Sequence, residues 1–173
     1  MSTAVADAAH VPERYPDADH LFGRTLLVAA AYVVLRRGDR VLLQRRRGTG
    51  YRDGHWAVLA GHVDLGESVH EAAVREALEE AGVRIAAADL VPLTALHRFE
   101  RGGPAVEQRI DLFFTATRWI GEPTLREPDK AEAMGWFDLR RLPEPLVPHE
   151  QLVLAAIADV RPLPAVMSWP ANP

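Results

Sequence analysis

Residues 61–83 read GHVDLGESVHEAAVREALEEAGV, and this stretch decides the fold of the 173-residue chain. Ser68, followed three residues later by Glu71, forms a capping box, a pairing that begins many helices. Gly82 stands where a glycine commonly ends a helix, because glycine adopts the left-handed backbone conformation at little cost. The stretch therefore predicts a helix over residues 68–81, preceded by a loop at residues 61–66.

The predicted helix has two different faces. Its core-facing stripe, with the spacing i, i+3, i+4, i+7, consists of Val74, Ala77, Leu78 and Ala81. Glu76, Glu79 and Glu80 cluster on the opposite side, where helical spacing brings the three carboxylates within reach of one point. A solvated acidic face is the common alternative interpretation of such a pattern.

Two features of the acidic cluster favour a bound cation over simple solvation. Like charges four residues apart destabilise a helix, and carboxylates are least favourable near its C-terminus, the negative end of the helix dipole. Arg75 offsets only part of this repulsion. A hard cation such as Mg²⁺ prefers oxygen ligands and would be held by several carboxylates.

The whole stretch resembles the signature of the Nudix hydrolase family, G-x5-E-x7-R-E-U-x-E-E-x-G-U, in which U is an aliphatic residue. Every specified position from Gly61 to Val83 is matched, and Ala77 is the one small residue in an aliphatic position. The resemblance extends over roughly residues 25–160. It includes the Gly-His-Trp sequence at 54–56, Gly-Glu-Pro at 121–123 and Trp-Phe at 136–137.

The resemblance implies an α/β (α+β) fold, an α/β/α sandwich around a mixed β-sheet, at residues 24–160. The residue pattern agrees, since strands outnumber helices and short turns join most of them. Regular elements are predicted at residues 26–35 and 40–45 (a hairpin), 56–59, 90–99, 108–119 and 134–137 (strands) and 149–160 (a helix). A loosely ordered leader at 1–23 and a proline-rich tail at 161–173 flank the domain.

The resemblance also implies that the helix ligates a divalent cation, Mg²⁺ with Mn²⁺ as a substitute, through Glu76, Glu79 and Glu80. The backbone carbonyl of Gly61 would be a further oxygen ligand. Glu67 would support the site through the water shell of the metal or through Arg75. Arg75 would orient a glutamate by a charge-assisted hydrogen bond.

A carboxylate on a later loop is the candidate proton acceptor for the attacking water. Glu127 is preferred because it follows the Gly-Glu-Pro sequence at the appropriate interval. Asp129 and Glu132 are close rivals, and for each of the three a solvated loop acid remains the alternative.

Substrate contacts are predicted outside the helix. Arg45 and Arg46 end the second strand of the hairpin, and only one of them is expected to face phosphate, because adjacent strand residues point to opposite faces. Trp56 and Phe99 are candidates for stacking on a base, although large aromatic side chains more often belong to the core.

Composition limits the classes of partner. The net charge of −4 gives no global basic field for a nucleic acid polymer or a membrane surface. The absence of cysteine excludes disulfides and thiolate metal sites, and no signal peptide precedes residue 24, so a cytoplasmic location is expected. Family members are often dimers, which leaves a homodimer open.

The signature identifies the bond that is cut and leaves the attached group open. Relatives that act on ADP-ribose or nucleotide sugars carry a proline where Arg98 and Phe99 stand, and dinucleoside polyphosphate hydrolases carry a tyrosine near Glu100 and Arg101. The preferred prediction is therefore hydrolysis of a nucleoside triphosphate to the monophosphate and pyrophosphate. Nucleotide-sugar or ADP-ribose hydrolysis, a non-catalytic nucleotide sensor and a purely structural metal site are the alternatives.

Overall fold

The structure is a computed structural model that describes residues 26–103 and 107–170. Its strands are β1 (Val28–Arg37), β2 (Arg40–Arg46), β3 (Trp56–Ala57), β4 (Leu59–His62), β5 (Val91–Phe99), β6 (Arg109–Ala116), β7 (Ala131–Asp138) and β8 (Val166–Pro170). Its α-helices are α1 (Val69–Ala81) and α2 (Pro148–Ala158). Within these ranges, no helix is both long enough and apolar enough to cross a lipid bilayer.

The strands form a mixed sheet. Strand β1 lies between β4, which is antiparallel to it, and β6, which is parallel. Strand β6 pairs antiparallel with β5, and β5 pairs parallel with β8. Strand β2 leaves β1 through the hairpin and pairs antiparallel with β3 and β7. This arrangement confirms the predicted fold class.

The helices cover opposite faces of the sheet, because alternate residues of β1 point in opposite directions. Ala31, Val33 and Leu35 pack in the cluster that contains the buried alanines of α1. Tyr32 and Val34 pack on the other face with Val153 and Leu154 of α2 and with Phe113 of β6. The result is a three-layer α/β/α sandwich.

The buried face of α1 differs from the predicted stripe. Its buried residues are Ala72, Ala73, Glu76, Ala77, Glu80 and Ala81. Leu78, which was predicted to face the core, is 43% exposed. Small alanine side chains let the helix approach β1 and β4 closely, and the turn of the helix then directs two glutamates inward while Leu78 points to solvent.

Replacing Ala77 with leucine should therefore destabilise the protein, whereas replacing Leu78 with alanine should not. Ala77 is fully buried, so added methylene groups overpack the contact between helix and sheet, at a cost of about 1–3 kcal/mol. The change at exposed Leu78 should stay within about 0.5 kcal/mol. Urea unfolding measures both, and an equal loss in the two variants would contradict this orientation of the helix.

Three predicted boundaries change. Gly61 and His62 belong to β4 instead of a loop. The proline-rich tail contains β8, whose pairing with β5 joins residues that are far apart in the chain, so local pattern did not reveal it. The predicted leader, residues 1–23, lies outside the described residues.

Candidate active site

Helix α1 is fixed at both ends by the caps that its sequence predicts. The Ser68 hydroxyl accepts a hydrogen bond from the Glu71 N–H (3.3 Å), and the Glu71 carboxylate accepts one from the Ser68 N–H (2.7 Å). Gly82 follows the helix with φ 70°, and its N–H donates to the last turn. The helix is thus held at a defined length against the sheet, with its C-terminal half beside β4.

The inward glutamates meet the backbone of β4. A Cβ atom built on Gly61 would lie 1.8 Å from Glu76 Oε1, so the carboxylate occupies the space left by the missing side chain. Glu80 Oε2 accepts a hydrogen bond from the Ala60 N–H (2.9 Å). Glu79, in contrast, lies on the exposed side of the helix.

Arg75 connects the acidic residues of this region. It donates to both oxygens of Glu67 (2.7 and 3.1 Å), to Glu76 Oε1 (2.6 Å) and to Glu79 Oε2 (3.0 Å). It also donates to the His62 carbonyl (2.9 Å). The guanidinium group lowers the pKa of Glu67 and supplies the positive charge that offsets the repulsion among the glutamates.

Burial has the opposite effect on the inward carboxylates. It raises the pKa of Glu80 to about 8, opposed by hydrogen bonding from the Gln44 amide and the Ala60 N–H. Burial also raises the pKa of Glu76, against the attraction of Arg75. Two carboxylates that are costly to ionise in isolation gain most from a nearby cation.

Of the three loop acids, Glu127 is the one placed beside the glutamates. Its negative charge contributes to the raised pKa of Glu80. Its Oε1 atom accepts a hydrogen bond from Lys130 (2.9 Å), while Oε2 is buried and has no hydrogen-bond partner in the described part of the chain. Glu132 instead pairs with Arg45 (3.1 Å), and the carbonyl of Asp129 approaches Gly48.

The donors fit a hard divalent cation in kind, and their present arrangement is held by Arg75. Carboxylate oxygens of Glu76 and Glu80, the orphaned oxygen of Glu127 and the Gly61 backbone are the oxygen donors that Mg²⁺ prefers. Within residues 26–103 and 107–170, however, no three acidic or histidine side chains already converge closely enough to ligate a metal. The predicted convergence of three helix carboxylates is therefore not preformed.

A cavity of about 540 Å³ opens beside these residues. Its glutamate end contains Gly61, Glu76 and Glu80. A second part of its wall, here named the arginine end, is formed by Arg46, Arg98 and Arg109, with Tyr32, Tyr51 and Glu150 beside them. The volume lies within the range of small-molecule sites.

The predicted substrate residues divide between the cavity and the surrounding protein. Arg46 lines the cavity, whereas Arg45 points elsewhere, to the Gly54 carbonyl and Glu132, because adjacent strand residues alternate. Trp56 packs edge-on against Phe137, and Phe99 lies beside His97. Arg45, Trp56 and Phe99 are thus placed outside the cavity wall that the structure describes.

Sequence reasoning missed the charged residues buried in the sheet and α2. Arg98 and Asp111 form a buried ion pair across β5 and β6, and His149 Nε2 lies 3.3 Å from the Tyr32 hydroxyl. Glu150 is 3% exposed, and its carboxylate accepts a hydrogen bond from the Val58 N–H (2.6 Å). The available signal was a charged residue within an apolar strand, as in Ile-Asp-Leu at 110–112.

Glu150 makes the stability of the protein dependent on pH. Burial raises its pKa to about 8 from the ordinary 4.5, so its contribution to stability is fully present below pH 4.5 and is lost as the pH rises through about 8. Glu150→Gln keeps an acceptor for the Val58 N–H and removes this titration, so the variant should lose less stability than the parent between pH 7 and about 9.

Urea unfolding in the presence of a chelator measures this difference. His149 does not interfere, because burial lowers its pKa to about 2 and a histidine is neutral in both states above its ordinary pKa of 6.5. Glu144→Gln changes an exposed glutamate and serves as the matched control. Parallel stability curves for the parent and Glu150→Gln would contradict the assignment.

Comparison with known proteins shows what this arrangement is similar to. The NUDIX domain family model matches residues 25–157. A Myxococcus xanthus protein named octanoyltransferase is 37% identical over 126 residues, which cover 69% of this chain and 33% of that protein. The NAD-capped RNA hydrolase NudC of Citrobacter koseri is 31% identical over 133 residues, covering 75% of this chain and 47% of NudC. The chain thus spans less than half the length of these relatives.

Solved structures agree with the family match. The MutT NUDIX hydrolase from Burkholderia pseudomallei has 30% sequence identity and a TM-score of 0.68, and the match covers 75% of this chain and 97% of that one. A mutator MutT protein from Bacillus halodurans has a TM-score of 0.66 at 21% identity, covering 85% of this chain and 92% of the other, and this similarity shows the shared fold alone.

Proposed function

The chain belongs to the Nudix family, and from this premise we propose that it hydrolyses a phosphoanhydride bond in a nucleotide-like diphosphate with the help of a divalent metal ion. The observation that carries the proposal is the pair of buried carboxylates, Glu76 and Glu80, which face a cavity wide enough for a small molecule. Burial raises the pKa of both groups, as is frequent at catalytic sites.

Glu76, Glu80 and the Gly61 carbonyl would hold the metal, with Glu79 joining them after it leaves Arg75. When bound, the metal neutralises charge on the phosphate oxygens and makes water a stronger acid. Glu127 Oε2, which is buried and unpartnered in the described residues, would accept the proton of the attacking water. The water oxygen then forms a bond to phosphorus, and the bond to the bridging oxygen breaks.

Arg75 has a positioning role in this proposal. Its contacts with Glu67, Glu76 and the His62 carbonyl tie the loop, the helix and β4 together. The ion pairs are partly buried, so water screens them less than it screens surface pairs. The guanidinium therefore keeps the Glu76 carboxylate near Gly61 before substrate arrives.

The preferred substrate is a nucleoside triphosphate, cleaved to the monophosphate and pyrophosphate. Support comes from the absence of the sequence marks of other substrate groups and from similarity to a structure titled MutT NUDIX hydrolase. The second candidate is a diphosphate within a dinucleotide or nucleotide sugar. It is favoured by relatives named NAD-capped RNA hydrolase, which are 31% identical over most of this chain in one case.

A substrate panel tests the proposal. Nucleoside triphosphates, ADP-ribose, NADH and sugar nucleotides are incubated with Mg²⁺ or Mn²⁺, and the release of pyrophosphate, phosphate and monophosphate is scored. We expect turnover that a chelator abolishes. Turnover of ADP-ribose or sugar nucleotides without triphosphates would overturn the preferred substrate, and nucleotide binding without any turnover would favour the sensor.

A further inference from the structure

The arginine end of the cavity holds an unequal set of buried charges. Arg98 makes a two-point ion pair with Asp111, which is fully buried. Arg109 Nε lies 3.6 Å from the same carboxylate and is buried without a hydrogen-bond partner in the residues that the structure describes. Two guanidinium groups thus share one carboxylate, an arrangement that is costly unless a further anion completes it.

Neighbouring groups add to the positive charge. Arg46 also lines the cavity, where its guanidinium donates to the Tyr51 carbonyl (2.9 Å) and lies over the Tyr51 ring. Burial, together with the charges of Arg98 and Arg109, lowers the pKa of His149, so this residue stays neutral.

The carboxylates at this end compensate little of that charge. Burial raises the pKa of Glu150 to about 8, so it carries a proton at neutral pH. Glu107 lines the cavity from a half-buried position. Of the fully buried carboxylates here, Asp111 is therefore the one that stays available to three arginines.

The arginine end is separate from the glutamate end. Arg98 and Arg109 are paired neighbours on β5 and β6, whereas Gly61 lies on β4, with β1 between β4 and β6. Two strand spacings amount to about 10 Å. One substrate can therefore reach both ends only if it carries a second anionic group away from the bond that is cut.

We propose that the arginine end is a phosphate-binding subsite, in which Arg109, assisted by Arg98 and Arg46, receives a terminal phosphate of the substrate. The inference rests on the proposed function for the rest of the substrate. A phosphate fits better than a carboxylate, because its charge of up to two and its three free oxygens match several guanidinium donors at once. The source is the end of a polyphosphate chain or a phosphomonoester on the nucleoside.

Binding of inorganic phosphate tests the subsite without turnover. Calorimetry in the presence of a chelator is applied to the parent, Arg109→Gln, Arg109→Lys and Glu80→Gln. We expect the affinity to fall about tenfold or more in Arg109→Gln, to recover in part in Arg109→Lys and to persist in Glu80→Gln. Arg140→Gln, at an exposed position outside the cavity wall, is the matched control and should bind as the parent does.

Kinetics then identify the source of the phosphate. The kcat/KM of a nucleoside triphosphate and of 2′-phospho-ADP-ribose is divided by that of ADP-ribose, which has no terminal phosphate. In Arg109→Gln one of the two ratios should fall about tenfold, and the affected substrate names the source. Melting temperatures confirm that the variants are folded.

The two proposals fail in different ways. Phosphate binding equal to the parent in a folded Arg109→Gln variant overturns the subsite, even if hydrolysis is observed. Arginine-dependent phosphate binding without hydrolysis of any substrate overturns the proposed function and leaves the subsite standing. Weak phosphate binding that Arg109→Gln and Arg140→Gln reduce equally would identify an adventitious ion only and would also overturn the subsite.

Discussion

Replacing Glu80 with glutamine is expected to remove nearly all metal-dependent hydrolysis while the protein remains as stable as the parent or becomes more stable. The expected loss in kcat is about 10²–10⁴-fold, the range for removing a group that acts at the reacting centre. The opposite directions of the two effects make this result diagnostic, because a variant that merely unfolds would lose stability together with activity.

The reason lies in the surroundings of Glu80. Burial raises its pKa to about 8, so in the absence of metal the folded protein disfavours the charged carboxylate. Glutamine is neutral and keeps an acceptor for the Ala60 N–H, which now donates to Glu80 Oε2 (2.9 Å). The substitution therefore removes a charge that costs stability and that a metal ion would require.

Thermal melts and steady-state kinetics in Mg²⁺ measure the two effects. Glu132→Gln is the matched control, since this exposed glutamate pairs with Arg45 away from the cavity. It should retain the kinetics of the parent. Retention of more than about a tenth of the activity in Glu80→Gln would contradict the assignment of the site, given the loss expected for such a group.

The local structure of α1 could be predicted from sequence, whereas its orientation could not. The caps at Ser68 and Gly82 depend on residues within a few positions of one another, and the structure contains both. Apolar periodicity placed Leu78 in the core, but tight packing of alanines against the sheet decides the rotation of the helix. Periodicity counts hydrophobic residues and does not register how closely small ones allow two backbones to approach.

The arginine end was beyond prediction for a related reason. Arg98, Arg109 and Glu150 become neighbours through the pairing of β5 with β6 and the packing of α2, which are contacts between distant parts of the chain. One sequence signal did exist, because Asp111 interrupts an apolar strand and a buried charge requires a partner. The partner itself could be identified only in the folded structure.

The arrangement around Arg75 suggests how the site would change when metal enters. In the described structure the guanidinium contacts Glu67, Glu76 and Glu79 and acts as their shared counter-ion. Glu67 gives Arg75 two hydrogen bonds of its own, so Glu76 and Glu79 can turn towards a metal while the guanidinium stays in place. We therefore expect Arg75 to organise the ligands without competing permanently for them.

Replacing Gly61 with alanine is expected to reduce activity by about 10²-fold or more with only a small loss of stability. The new Cβ would lie 1.8 Å from Glu76 Oε1 and 2.1 Å from its carboxyl carbon, so the carboxylate must move. The end of a glutamate side chain moves at little energetic cost, which protects the fold. A displacement of about 1 Å at a reacting centre nevertheless costs about 10²-fold in rate.

A double-mutant cycle shows whether this effect acts through Glu76. In the background of Glu76→Ala the carboxylate is absent, so adding Gly61→Ala should change neither stability nor the residual activity further. Gly135→Ala is the matched control, because its Cβ would meet the Phe137 ring at an ordinary 3.5 Å. If Gly61→Ala keeps activity within about threefold of the parent, the loss expected for a displaced group is missing, and Glu76 then does not act from its position against β4.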